Sequence, residues 1–234
     1  MSVNKKNTEI LAQKFRADHG LSATEAVSMK SVVRLCNILT VYLPMSDNAY
    51  GMSLKSPQND MFILVNSKNA RGRQHFTIAH EIFHLFYDEA PKPHLCCKDG
   101  KSPVERTADQ FAAALLMPKE GVLKMLPADV AAGDPVSIPT ALKIGQYFGT
   151  SHTATLIRLE QLGIIKKSEM QNLLRIPVIE SAKKYGFDTS LYEGGNENLI
   201  IGDYGEKARK LLDDEIISEG HFDELQKLIA DGEG

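Results

Sequence analysis

Cysteine is scarce: three in 234 residues, Cys36, Cys96 and Cys97, too few to staple a secreted fold. Adjacent cysteines rarely bridge each other, so Cys96 and Cys97 read as reduced thiols, with an accessory metal or redox pair as the other use. Long apolar runs are missing as well. None approaches the roughly 20 residues needed to cross a bilayer, and the opening MSVNKKNTEILAQKF has no apolar core of a secretory leader. Both absences point to a cytoplasmic protein. There are no internal repeats and no low-complexity segment, which excludes a solenoid and leaves an ordinary globular chain long enough to bury a sizeable core.

A strong net charge is also lacking, at −3, but the balance is uneven. Residues 187–234 hold 13 Asp/Glu against 4 Lys/Arg, a local −9, so the remainder is +6. Such an acidic tail is ordinarily a solvated face, and its other use is docking a basic partner such as a DNA-binding protein.

Helices are expected over 7–18 and 24–37, then β-strands over 38–43, 49–54 and 61–65. The turn-rich 55–60 joins the last two into a hairpin of a small antiparallel sheet. A long helix follows over 74–87, then an irregular loop at 96–101. Ser102-Pro103-Val104-Glu105 opens another helix, with an N-cap serine, proline at the first position and glutamate at the third. It stops at Pro118. Residues 140–148 and 153–162 form a helix–turn–helix-like pair around Gly149-Thr150-Ser151. Its second helix offers only His152 and Arg158 as basic groups, so packing explains it better than DNA binding, and no direct nucleic-acid partner is expected. A short strand over 198–202 and acidic helices over 206–218 and 222–230 complete the chain. The expected architecture is α+β: residues 1–120 as a metal-helix domain with its small sheet, 121–170 as the helix–turn–helix-like region, and 171–234 as an acidic, mainly helical extension.

Chemistry concentrates in His80-Glu81-Ile82-Phe83-His84. Four residues of α-helix advance about 400° and roughly 6 Å, which stacks His80 and His84 on one face. Both rings can then reach one Zn²⁺, with Glu81 beside them as the carboxylate that handles a water. Helical histidine pairs also occur as surface or satisfied core groups. The surrounding Ile78, Ala79, Ile82, Phe83, Leu85 and Phe86 argue for a buried helix, whose polar groups need partners that a metal supplies.

A third ligand must come from elsewhere. Asp88 lies one turn further but rotated about 80° from His80, a poor reach. His94 and the Cys96–Cys97 pair are possible. Glu105 is the better candidate, because an antiparallel second helix would set its first turn near the metal. Taken locally, Ser102-x-x-Glu105 is a capping box that needs no metal; its place some twenty residues after the histidine pair reverses that reading. Asp109, four residues on, can accept from the second nitrogen of a ligating histidine, or be only a helix-buttressing carboxylate.

Here a resemblance enters. Gly72-Arg73-Gln74-His75-Phe76-Thr77-Ile78-Ala79-His80-Glu81-Ile82-Phe83-His84-Leu85, then Glu105-Arg106-Thr107-Ala108-Asp109-Gln110-Phe111-Ala112-Ala113-Ala114-Leu115-Leu116-Met117-Pro118, resembles the ImmA/IrrE family of zinc metallopeptidases. The family pattern runs R-Q-R-F-T-x-A-H-E-x-G-H and then E-x-x-A-(N/D)-x-F-A-x-x-L-L-M-P, and the likeness extends over residues 30–165. It implies a zincin-like fold, one Zn²⁺ on His80, His84 and Glu105, and Glu81 as the catalytic carboxylate. Phe83 departs from a frequent glycine, His75 from a frequent arginine and Asp88 from a frequent histidine; none of these removes an implied ligand. His75, Tyr87, His94 and His152 are the candidates for a transition-state donor, the first two being nearest the motif. The hairpin of 49–65 is expected to offer an edge strand to an extended substrate.

The resemblance implies an endopeptidase acting on a cytoplasmic helix–turn–helix repressor. The competing function is a zinc-stabilised module that sequesters a repressor or antitoxin without cutting it. Glu81 favours hydrolysis, because a purely structural site requires no carboxylate there.

Overall fold

The computed structural model describes residues 5–88, 94–97 and 102–230. Helices α1 (Lys5–Asp18) and α2 (Met29–Leu35) lead into strands β1 (Ile38–Leu43), β2 (Ala49–Lys55) and β3 (Met61–Asn66). Then come α3 (Arg71–Tyr87), β4 (His94–Cys97), α4 (Pro103–Leu116), α5 (Lys119–Lys124), α6 (Ala128–Ala131), α7 (Ile138–Phe148) and α8 (His152–Gln161). Helices α9 (Lys167–Leu174) and α10 (Val178–Lys184), strand β5 (Ile200–Ile201), and helices α11 (Tyr204–Asp213) and α12 (Glu219–Ala230) follow. The architecture is α+β, as expected.

Among the described residues the sheet has five strands in the order β4-β2-β3-β1-β5. It is mixed, which corrects the antiparallel sheet expected from sequence: β2 and β3 form the antiparallel hairpin, but β3 lies parallel to β1, Ile38 opposite Met61. Alternation of inward and outward side chains is the same in either orientation, so the pattern of β1 could not have told them apart. The loop at 96–101 is also corrected in part, because Cys96 and Cys97 belong to β4, paired antiparallel with β2. That pairing removes the edge strand expected of the hairpin. Both sides of β2 are taken, by β3 and β4.

Helix α2 starts at Met29, not at residue 24, because Ser22 Oγ accepts from the amides of Thr24 and Glu25 and turns the chain there. Ser28 then caps the helix by accepting from Ser31 N at 3.3 Å.

One continuous core joins Phe15 of α1, Val32 of α2, Ile38 and Ile63 of the sheet, Ile78 and Ile82 of α3, Phe111 and Leu115 of α4, and Leu156 of α8. Helix α3 crosses the sheet against β2 and packs on α4, which in turn packs on α1. Close approach of α3 to β2 needs Gly51, where a Cβ would come 2.5 Å from Thr77 Cγ2 and 2.8 Å from the Leu64 carbonyl oxygen. Gly149 closes α7 in the left-handed conformation, φ 65°, and Ser151 caps α8 by accepting from Ala154 N. The α7–α8 pair is a packing unit. Arg158 is fully buried, donating to the Met117 carbonyl and to both carboxylate oxygens of Glu9.

Candidate metal centre

Helix α3 carries His80, Glu81 and His84 into the interior, 2%, 0% and 5% exposed. Each histidine is oriented through Nδ1. His80 Nδ1 donates to Asp109 Oδ1 at 2.9 Å and His84 Nδ1 donates to Asp88 Oδ2 at 3.0 Å. With Nδ1 committed, the two Nε2 atoms face each other at 3.2 Å.

Glu105 enters from the first turn of α4. Ser102 Oγ accepts from the Glu105 amide at 3.2 Å and starts the helix, while the Glu105 carboxylate turns to the histidines. Its Oε2 lies 3.2 Å from His80 Nε2 and its Oε1 3.5 Å from His84 Nε2. As α4 advances from Glu105 to Asp109, its partner moves back along α3 from the His84–His80 pair to His80 alone, so the helices run antiparallel.

The two Nε2 atoms and the Glu105 carboxylate form a compact triangle, a different carboxylate oxygen facing each histidine. A tetrahedral ion with ligand bonds of about 2.0–2.1 Å separates its ligand atoms by about 3.4 Å, which matches these spacings. Two imidazole nitrogens and a carboxylate converging in a buried place repel one another unless a proton or a cation lies between them. Burial disfavours the His80 cation, yet hydrogen bonds to Asp109, Cys96 and Glu105 outweigh it and hold its pKa well above the ordinary histidine value. The locus favours positive charge. The chemistry of the donor set therefore fits a divalent metal on His80, His84 and Glu105.

Glu81 sits beside this triangle and is steadied by β2, where Ser53 Oγ donates to Oε2 at 2.6 Å. The inward positions of β2 are small, Ala49, Gly51 and Ser53, which lets α3 lie close enough for that bond. Cys96, in β4, brings a third donor type: its thiol, with His80 and Glu81, forms a second group of potential ligands whose atoms lie within 4.8 Å of one another.

A cavity of 290 Å³ opens at the centre, lined by His80, Glu105, Asp109 and Cys96 together with Tyr50, Arg73 and Thr77. Arg73 is held over the Tyr50 ring at 4.8 Å and near the Phe76 ring at 5.6 Å. Neither His75 nor Tyr87 is among the lining residues. His75 Nδ1 donates to the Gly149 carbonyl at 2.8 Å, and the Tyr87 ring packs on Phe83 and Phe111. His152 points its Nε2 at the Leu173 carbonyl. The side chains of His94 and Cys97 lie outside the described residues.

Sequence reasoning missed Ser53, the role of Asp88, and the cavity residues Tyr50 and Arg73. A polar residue at an inward position of an otherwise apolar strand was the signal available for Ser53. Asp88 was weighed only as a ligand, whereas its spacing of four from His84 suits a hydrogen-bond partner.

Residues 35–160 match the model of the IrrE N-terminal-like domain, Peptidase_M78. No curated protein matches the chain. The matched stretch includes β1 to β4, α3, α4 and every residue of the triangle, and the metal-binding helix packed across a small sheet fits a zincin-like fold. Since that match covers more than half of the chain, the protein belongs to the IrrE N-terminal-like metallopeptidase family, Peptidase_M78.

Proposed function

We propose that this protein is a zinc-dependent endopeptidase that hydrolyses a peptide bond in a cytoplasmic helix–turn–helix repressor. The observation that carries this reading is the triangle of His80, His84 and Glu105 with Glu81 buried beside it. His80, His84 and Glu105 hold the ion, and when bound, Zn²⁺ supplies Lewis-acid polarisation of a water and of the scissile carbonyl.

Everything else falls to the protein. Glu81 takes a proton from the attacking water and returns it to the leaving amine, and Ser53 keeps the carboxylate aimed for both transfers. Asp109 and Asp88 fix the histidine rings so that Nε2 of each faces inward. Arg73 and Tyr50, on the cavity wall, carry donors suited to the oxyanion or to the substrate backbone. Among the described residues no helix is long and apolar enough to cross a membrane. A repressor as substrate accords with the family likeness, and the acidic stretch 187–234 offers a complementary surface to a DNA-binding protein.

The test compares wild type with Glu81→Gln, measuring bound metal and incubating each with the repressor encoded beside the gene. Equal zinc in both, with fragments from wild type alone, is the expected result. Intact repressor in a tight complex with both proteins would sink the protease and leave the sequestering module.

A further inference from the structure

We propose that Cys96 is a fourth, displaceable ligand of the metal centre, a thiolate that closes the position a water or substrate carbonyl must take. The inference rests on the metallopeptidase reading above and assigns that site its resting state. Cys96 is 7% exposed, and its thiol contacts His80 by a hydrogen bond. It lies within 4.8 Å of ligand atoms of both His80 and Glu81, and it faces the same cavity as Glu105. The two donor groups, His80-His84-Glu105 and His80-Glu81-Cys96, share His80 but do not merge into one, so the sulfur has to close in from the His80 side when it ligates.

A buried cysteine is ordinarily a small apolar filler. This one is surrounded by imidazole and carboxylate, in a cavity with a polar wall. Thiolate is a strong ligand for zinc, and Zn–S bonds of about 2.3 Å are longer than Zn–N bonds, which shortens the distance the sulfur has to cover.

Backbone geometry adds a second reason. Cys96 is opposite Gly51 in β4, on the side of β2 away from β3. An extended substrate pairing with β2 there would have to displace β4, and that displacement would withdraw the thiolate as well. Substrate docking and opening of the metal would then be one event. On metal binding the S–H bond breaks, a sulfur lone pair bonds the ion and the proton leaves to solvent.

The experiment strips the full-length protein of metal and reloads it with Co²⁺, whose thiolate complexes show a sulfur-to-metal charge-transfer band in the near ultraviolet. The expected result is that band in wild type, in Cys36→Ser and in Cys97→Ser, and its loss in Cys96→Ser and Cys96→Ala. In chelator competition both Cys96 variants should bind Zn²⁺ more weakly, by at least the order of ten- to a hundredfold that follows loss of an outer partner. They should also release one proton fewer than wild type on loading. Visible cobalt bands in wild type without charge transfer overturn the proposal and leave the three-ligand site standing, as does a charge-transfer band that survives in Cys96→Ser. Failure of wild type to bind Co²⁺ or Zn²⁺ at all overturns both, and equal binding by wild type and His84→Ala overturns the three-ligand site itself.

Discussion

His80 and Asp109 are joined at 2.9 Å across the α3–α4 interface, the histidine side chain 3% exposed and the aspartate 57%. The buried ring is thus held by a carboxylate at the cavity rim, one helical turn beyond Glu105. His84 is held differently, by Asp88 at the end of its own helix. Both bonds serve the same physical end, a ring held in one orientation with Nε2 turned inward.

Asp109→Asn keeps the shape but weakens acceptance from Nδ1 and admits the wrong ring orientation. The expected result is Zn²⁺ affinity lower by about ten- to a hundredfold, read by chelator competition, with the fold retained by circular dichroism. Asp88→Asn should behave alike through His84. Unchanged affinity in both would show that the carboxylates do not tune the centre.

Ser53→Ala tests the support of Glu81. Removing the hydroxyl leaves metal content unchanged and lowers kcat more than it raises KM, by up to the roughly hundredfold lower bound of general acid–base catalysis. A change confined to KM would place Ser53 on the substrate instead.

Metal removal should loosen the α3–α4 contact that Glu105 closes. At free Zn²⁺ a hundredfold above Kd, native stability rises by about 2.7 kcal/mol, seen as a higher Tm than in chelator. Glu105→Ala should lose most of that increment. If it melts with the full zinc-dependent shift, Glu105 is not a ligand.

Arg158 ties α8 to α1 and to the end of α4, through Glu9 and the Met117 carbonyl. Arg158→Met keeps the apolar stem but leaves that carbonyl and the carboxylate without their charged partner. A loss of about 2–3 kcal/mol in urea unfolding is expected. Less than 0.5 kcal/mol would mean that solvent replaces the guanidinium freely.

His75 carries a pH dependence. Burial pushes its pKa below the ordinary 6.5, only partly offset by its bond to Gly149, with Lys30 and Arg71 adding to the depression. As pH falls below about 6.5 the unfolded chain takes up a proton that the native ring still refuses, so stability drops; above 6.5 neither state is protonated and the effect vanishes. Unfolding of wild type should therefore weaken more steeply between pH 7 and 5 than that of His75→Gln. Parallel curves would count against the buried neutral ring.

Much of the site was legible because its spacing is local. His80 and His84 share a helix face by the 3.6-residue period, and Ser102-Pro103 announced the helix that brings Glu105. The strands at 38–43, 49–54 and 61–65 fall within a residue of those observed, since alternation and turn residues are local as well. Strand orientation was not local. Whether β1 runs with β3 or against it depends on a chain path that leaves the same alternation in either case.

Sequence by itself determined the donor types and their placement on two helices, because helix periodicity and capping act within a few residues. Only the tertiary structure decided the rest. Packing α3 between a small-residue face of β2 and the side of α4 set the 3.2–3.5 Å triangle and aimed Ser53 at Glu81. Pairing β4 to β2 brought Cys96 to the centre and closed the edge that the hairpin alone would have offered. Those contacts join residues far apart in the chain, and their geometry follows from how whole elements bury their faces against one another.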